Sequence, residues 1–472
     1  MLDPNHARHS EKPADIYMSH QWPPRMVRPD SAGRWISMIP WEFGAIPVSW
    51  YIPMKYWMDE IWVYSRYNKD GYVKSGLPEE KIRVIPLGVD ELVFHPDAEP
   101  TFFEGDGRFR FLYVGGTIAR KGFDLLLKAY LAEFKKEEPV SLIVKDHGVD
   151  THYQGITMEQ RIHEAESNPL SPAIQYINEQ LAPEQLASLY RSCDCSVFPY
   201  RGEGFGLPMV ESAACGTPVI VPGLGPAAEM FGEEHALFIQ AKEQRQDDRK
   251  VGAMETVDFP WWIEPDLNDL RHQMRFAYEN KDKLAEMGKR ASVHVRSRFT
   301  WNKTAEIVRK ALETIQVRQK PLSWNPDDIL RTEIEWVEND LADNRSEQAL
   351  GKLQALLQVF PNASGYAYKP YISICGRKST CRPSVFLSLY PASWRKRKAR
   401  STIFCTHRSG LYWPFVTAGF NHGHWPSTLF GKRVSRIPRS TRSKFLIFIR
   451  RFDLHMFYWD RSIRSSGTPI RR

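Results

Sequence analysis

Glu203 and Glu211 stand eight positions apart in Glu-Gly-Phe-Gly-Leu-Pro-Met-Val-Glu. Gly204 and Gly206 allow a ligand to approach the backbone closely, and a helical pattern follows them. The first turn of such a helix points N–H groups at an anion. One carboxylate on the loop and one on the helix can grip hydroxyls at the two ends of a polyol. Upstream, Gly115-Gly116-Thr117-Ile118-Ala119-Arg120-Lys121-Gly122 runs from an apolar stretch into paired cations at a helix start. The helix dipole disfavours cations there, and a bound phosphate would remove the conflict. The pattern is neither the GxxxxGK[ST] loop nor the GxGxxG fingerprint. Each motif also has a plain reading: two solvated acids in the first, a solvated Arg-Lys pair in the second.

The elements that must position these residues can be read from the apolar periodicity. Strands are expected over 108–114, 141–144, 174–177, 195–199, 218–221 and 236–239. Helices are expected over 121–135, 183–191 and 207–214, then as two long patterns over about 266–296 and 302–317. This βαβα alternation predicts a parallel sheet covered on both faces. Upstream, 60–63 and 81–84 read as strands. Residues 339–361 have the Ala/Leu spacing of one helix of a tetratricopeptide-like hairpin, and one such unit cannot bury its own apolar face.

Composition bounds the rest. In 472 residues, 42% hydrophobic and 25% charged, no apolar run is long enough to span a bilayer. The first 17 residues have no apolar core and do not read as a secretory signal. Six scattered cysteines fit neither a disulfide framework nor a zinc site and suggest a reducing, cytoplasmic compartment. The net charge of +8 hides a split. Residues 361–472 hold 22 Lys+Arg and two acids, Asp453 and Asp460, giving 22 − 2 = +20; residues 1–360 then carry 42 − 54 = −12. The basic stretch lacks periodicity, so specific nucleic-acid binding is not expected. A disordered extension, or sequence that never evolved as protein, explains it better; peripheral membrane contact has no positive support.

Together, the two motifs on this rhythm resemble retaining glycosyltransferases of family 4, within glycosyl transferases group 1, which have the GT-B fold. The resemblance covers about residues 18–320. It includes VKDHG at 144–148, PYRGEGFGLP at 199–208 and ACGTPVIV at 214–221. HQWPP at 20–24 and PWEFG at 40–44 resemble the group often joined to tetratricopeptide repeats. The implied fold class is α/β, two Rossmann-like domains with the N-terminal one incomplete. Residues 1–96 would form the partial acceptor-side domain, 97–107 a linker, and 108–320 the nucleotide-sugar-binding domain. A helical segment over 322–361 and a low-order basic tail over 362–472 would follow.

The resemblance implies a UDP- or GDP-sugar as donor and no cofactor. The absence of Asp-x-Asp from the chain suits the metal-independent type, with no metal ligands. Arg120 and Lys121 would neutralise the diphosphate. Gly116 stands where many relatives carry Arg, so with Gly115 and Thr117 it would meet the phosphate through the backbone. Glu203, with Gly204, Phe205, Gly206 and Leu207, would hold the sugar and its anomeric centre, and Glu211 the ribose. Tyr176 and Ile177 would flank the base. His20 is the best candidate for the His facing the sugar, with a plain loop residue as the alternative. Glu42 is a further candidate, the alternative being a structural turn. The acceptor, a glycan, protein or lipid, is left open. Two other readings stand beside the active enzyme: a nucleotide-sugar-binding remnant with a truncated acceptor domain, and an interaction protein built on 322–361.

Overall fold

The computed structural model describes residues 14–29, 32–103, 106–147, 157–315 and 325–360, with the backbone of four short strands further on. The chain forms two compact units, Met1–Tyr390 and Pro391–Arg472. In the second, the described residues form one antiparallel pair, Ser401–Thr406 with Tyr412–Thr417. In the first, Tyr371–Ser373 pairs with Ser384–Phe386. The rest of the basic stretch 362–472, the first 13 residues, Gly148 and linker residues 104 and 105 lie outside the described residues.

The first unit is built on two parallel sheets. One holds β1 (Ala14–Ser19), β2 (Ala32–Met38), β3 (Glu60–Val63) and β4 (Ile82–Val84) in chain order. The short helix α1 (Val48–Ile52) precedes β3, and α2 (Arg66–Lys74) follows it, with the Ser65 hydroxyl accepting from Asn68 N–H as its cap. The second sheet begins with β5 (Phe109–Gly115), α3 (Phe123–Glu133), β6 (Val140–Asp146), α4 (Glu159–Ser167) and β7 (Ala173–Ile177). It continues with α5 (Pro183–Arg191), β8 (Cys195–Val197), α6 (Leu207–Ala214), β9 (Val219–Pro222), α7 (Pro226–Met230) and β10 (Ala236–Ile239). Its strand order is β10-β9-β8-β5-β6-β7. The expected α/β architecture of two parallel-sheet halves is what the chain forms.

Strand β5 shows why its sequence folds this way. Phe109, Phe111 and Tyr113 pack into one core with α3, while Leu112 and Val114 pack into another with α5 and α6. A strand with apolar residues on both faces must be covered on both, which a parallel sheet with crossover helices achieves. The expected helices 183–191 and 207–214 and strand 236–239 are found at those bounds.

Beyond β10 the chain leaves the sheet. β11 (Ala241–Arg245) pairs with β14 (Trp261–Pro265), and β12 (Lys250–Val251) with β13 (Met254–Glu255). The pattern expected to run on from 266 to 296 is two helices, α8 (Leu267–Glu279) and α9 (Lys281–Arg298), broken at Asn280. The break has a packing reason. Leu270 and Met274 of α8 serve the core beside α3, whereas Ala291 and Val295 of α9 serve the opposite face. Helix α10 (Trp301–Glu313) returns to the first sheet, where Ala311 packs with Ile36, Trp62 and Ile85.

Helices α11 (Pro326–Ala342) and α12 (Ser346–Val359) form a hairpin. Its apolar face is not left bare: Ile329, Leu330, Ala355 and Leu356 share a core with Trp50, Tyr51 and Ile52 of α1. Glu333 is fully buried there, 2.6 Å from Lys55 Nζ, and accepts from the Tyr51 and Tyr56 hydroxyls. Gly351 lets α12 lie against the 241–265 excursion, since a Cβ there would be 2.1 Å from the Val257 carbonyl oxygen.

Candidate functional site

The glycine turn after β5 and the loop after β8 are fastened to each other. Gly122 has φ +71°, and a Cβ on it would lie 1.8 Å from the Pro199 carbonyl oxygen. The Arg120 carbonyl accepts from Arg201 N–H (2.8 Å) and Gly202 N–H (3.1 Å), while Arg120 Nη1 donates to the Gly202 carbonyl at 2.8 Å. Lys121 Nζ pairs with both oxygens of Glu203, at 2.9 Å to Oε1. Two motifs 82 residues apart therefore share one site.

Arg201 holds this junction from beneath. It is buried, forms bidentate pairs with Asp124 (2.6 and 3.0 Å) and Glu264 (2.7 and 3.0 Å), and donates to the Ala119 carbonyl. These partners hold its pKa above the ordinary arginine range, against the effect of burial. A buried Arg with two carboxylates is a positioning device. Its signal in the sequence was only its place beside Gly202-Glu203.

Gly206, at φ +91°, starts α6. Gly204 is hemmed in from the first half, since a Cβ on it would be 3.4 Å from Asn68 Oδ1 and 3.6 Å from Pro40 and Tyr64. Phe205 is buried in the core and Leu207 packs against it, so both side chains are engaged in packing. Glu211 lies one to two turns into α6 and accepts from the Tyr190 hydroxyl at 3.1 Å. Burial pushes its carboxyl up to about 7, with the Tyr190 hydrogen bond opposing the rise.

The other expected site residues divide into two sets. Gly115 has φ +150°, and the Gly116 carbonyl accepts from the Tyr113 hydroxyl at 2.8 Å. Thr117 is fully buried and donates its hydroxyl to Asp146 at 2.7 Å; Tyr176 donates to the same carboxylate at 3.0 Å. Asp146, at the end of β6, thus fixes the glycine turn, and sequence reasoning gave it no role although it lies in VKDHG. Ile177 is a core residue, 8% exposed, so its side chain offers little surface to a base. The Thr117 and Tyr176 hydroxyls are likewise engaged inward.

From the first half, His20 Nε2 shares a 2.7 Å hydrogen bond with the Tyr64 hydroxyl, placing it one residue from the Gly204 loop. Burial, with a contribution from Glu42, pushes the Tyr64 phenol up to about 12. Glu42 reaches across to Arg120 Nη1 at 3.4 Å. Among the described residues no cluster of three or more His, Cys, Asp or Glu could hold a metal, and no helix is long and apolar enough to cross a membrane.

This is a junction of cations, backbone amides and carboxylates suited to a ligand with both phosphates and hydroxyls. Residues 98–251 match the family of glycosyl transferases group 1. A D-inositol 3-phosphate glycosyltransferase of Arthrobacter sp. is 27% identical over 247 residues, covering 52% of this chain and 50% of the relative. The mannosylfructose-phosphate synthase of Agrobacterium fabrum is 32% identical over 172 residues, covering 34% of this chain and 37% of the relative. The serotype-specific mannosyltransferase WbdA of Escherichia coli is 30% identical over 172 residues, covering 36% and 20%. The chain thus spans between a fifth and a half of the length of these curated relatives. Among solved structures, a sucrose-phosphate synthase from Thermosynechococcus elongatus superposes with a TM-score of 0.46 at 20% identity, covering 59% of this chain and 67% of that one. The stretch that matches the glycosyl transferases group 1 family, residues 98–251, carries Arg120, Lys121, Glu203 and Glu211.

Proposed function

We propose that this chain is a glycosyltransferase that moves a sugar from a nucleotide diphosphate sugar to an acceptor hydroxyl with retention of anomeric configuration. The observation that carries this reading is the contact of Lys121, a group suited to phosphate, with Glu203, a group suited to hydroxyls, beside the amino end of α6.

In this reading Lys121 and Arg120 face the diphosphate. The Glu203 carboxylate and the Gly202 carbonyl hold these cations in place until the donor arrives. Phosphate oxygens then compete for the same ammonium and guanidinium, and Glu203 becomes free to accept from sugar hydroxyls. The bond from the anomeric carbon to the β-phosphate oxygen breaks, and its electron pair leaves with the diphosphate. The acceptor oxygen bonds to the same face of that carbon and passes its proton to the departing phosphate oxygen. Charge grows on the leaving group during this step, so preformed cations there stabilise the transition state more than the ground state. Glu211, past the phosphate-facing amides, would accept from the ribose hydroxyls. No metal or cofactor is assigned a role.

The test is calorimetric titration of UDP and GDP against wild type and Lys121→Ala. Loss of a charge-assisted contact should weaken the preferred nucleotide by about 1.5–3 kcal/mol without lowering the melting temperature. Unchanged affinity would remove the assignment. Proton NMR of the product's anomeric centre tests retention.

A further inference from the structure

A cavity of about 650 Å³ lies between segment 40–43, the Ile118–Arg120 turn and the 241–265 excursion. That volume falls in the range of small-molecule sites. The cavity opens beside the site already described, because Arg120 lines it and also holds Gly202. A molecule lodged there would lie beside the Arg120–Gly202 contact, next to the loop that carries Glu203.

Four of its fourteen lining residues are aromatic. Trp41 and Phe43 come from the first half, Trp262 from β14, and Trp22 stands at the rim, 55% exposed. Flat rings with electron-rich faces attract C–H groups polarised by neighbouring oxygens, which is what a pyranose face presents. Two residues lining the cavity, Gln246 and Trp262, carry buried N–H groups (Nε2 and Nε1) with no partner among the described residues. An alkyl chain would leave both donors unpaired, which is costly; hydroxyl and ether oxygens would satisfy them. The charges lining the cavity are Glu42, Arg120 and Lys250, and Arg120 is already paired with Glu42. That leaves one cation, too little for a sugar phosphate.

The excursion that forms the far wall is anchored by the C-terminal hairpin. Arg249 donates to the Glu347 carbonyl (2.8 Å) and Gln354 Oε1 (2.6 Å), and Gln354 donates to Glu255 at 3.2 Å. With the Gly351 contact on Val257, α12 braces the wall.

We propose that this cavity is the acceptor subsite and that it takes a neutral glycoside, one ring stacked between Trp22 and Trp262, with a hydroxyl donating to Glu42. The proposal rests on the transferase reading.

Tryptophan fluorescence and calorimetry on the full chain saturated with UDP or GDP test it. The probes are maltotriose, cellotriose and chitotriose, against glucose 6-phosphate and sodium decanoate. At least one trisaccharide should bind and change the fluorescence, and Trp22→Ala should weaken it about tenfold while nucleotide affinity stays the same. Gln246→Ala should weaken it too, and both changes avoid Trp262, whose ring lies against Arg201. Three results overturn the proposal: no trisaccharide binds, binding is indifferent to both substitutions, or the phosphate or the fatty acid binds in their place. If neither UDP nor GDP binds, the transferase reading itself fails; if one binds and no trisaccharide does, only the acceptor proposal fails.

Discussion

The two parallel sheets are layered alike but ordered differently. Strands β1 to β4 lie in chain order, so each crossover steps the same way. In the second sheet the chain steps from β5 to β6 and β7, then returns to place β8 on the other side of β5. Connections leaving β5 and β8 therefore diverge to opposite faces and open a crevice at their carboxyl ends. The Gly115–Gly122 turn leaves β5 there, and Pro199–Glu203 leaves β8. The first half contributes Glu42, Tyr64 and His20 from loops that meet this crevice from across it. The halves also differ in how they close their cores. The second fills both faces of its sheet largely with its own helices. The first depends on later chain: Ala311 of α10, Val257 of the excursion, and Ile329, Leu330 and Leu356 of the hairpin.

The largest effect that separates the halves is expected at Glu333. Glu333→Ala strands the Lys55 ammonium in a buried site, and breaking such a pair costs about 3–5 kcal/mol. The first half should then melt early while nucleotide binding by the second persists. A single unchanged transition in scanning calorimetry would mean that the hairpin does not support the first half.

Gly122→Ala attacks the second half. Positive φ and the collision with Pro199 together should cost about 2–4 kcal/mol and loosen nucleotide binding. Gly107→Ala is the comparison. Its φ is +73° but no atom of the described residues lies within 4 Å of a Cβ, so about 1–2 kcal/mol of backbone strain should be the whole cost. Equal denaturation midpoints for the two variants would contradict the close approach.

Glu211 should show in the pH dependence. Its folded pKa, about 7, is above the ordinary carboxylate value. The native state therefore holds that proton more tightly than the unfolded state. Stability should fall as pH rises from about 4.5 to 7 and level off above, by roughly 3 kcal/mol at most. Glu211→Gln should remove that slope. A ribose donating to the carboxylate favours the ionised form, so nucleotide binding near pH 6.5 should release protons. Calorimetry in buffers of different ionisation enthalpy measures the release directly; none would count against the ribose assignment.

The smallest effect is expected where the halves touch through one carboxylate. Glu229 accepts from Arg66 N–H (2.8 Å) and Tyr67 N–H (2.6 Å) at the start of α2. Glu229→Gln should cost only about 0.3–1 kcal/mol, and less at high salt, because the group is exposed and screened. A loss several times larger in urea titrations would show that this contact holds the halves together.

The legibility of the fold followed the locality of its causes. Helices 183–191 and 207–214 start with Pro at the first or second position and have apolar residues at helical spacing, so their bounds could be read. The 266–296 pattern was read through Asn280 because periodicity does not report that a helix must end to serve the opposite face of a sheet. The excursion 241–265 gave no signal, since its strands pair within themselves and its packing partners, Ile46 and Gly351, lie far away in sequence. In the site, Lys121 and Glu203 were legible as types at suggestive positions. Asp146 and Arg201 were not, because their importance lies in partners on other strands and helices.

The residue order alone determined that 108–240 is an alternating α/β layer, because strands with apolar residues on both faces need cover on both and the intervening amphipathic stretches supply it. It also determined that glycines, cations and carboxylates leave that layer on loops. Only the tertiary structure decided that the β5 and β8 loops are the ones that meet, because strand order is set by long-range crossovers. It likewise decided that Thr117, Tyr176 and Ile177 turn inward, and that aromatic residues more than 200 positions apart face one cavity. Side-chain direction and through-space contact depend on register and packing between distant segments, which local periodicity does not encode.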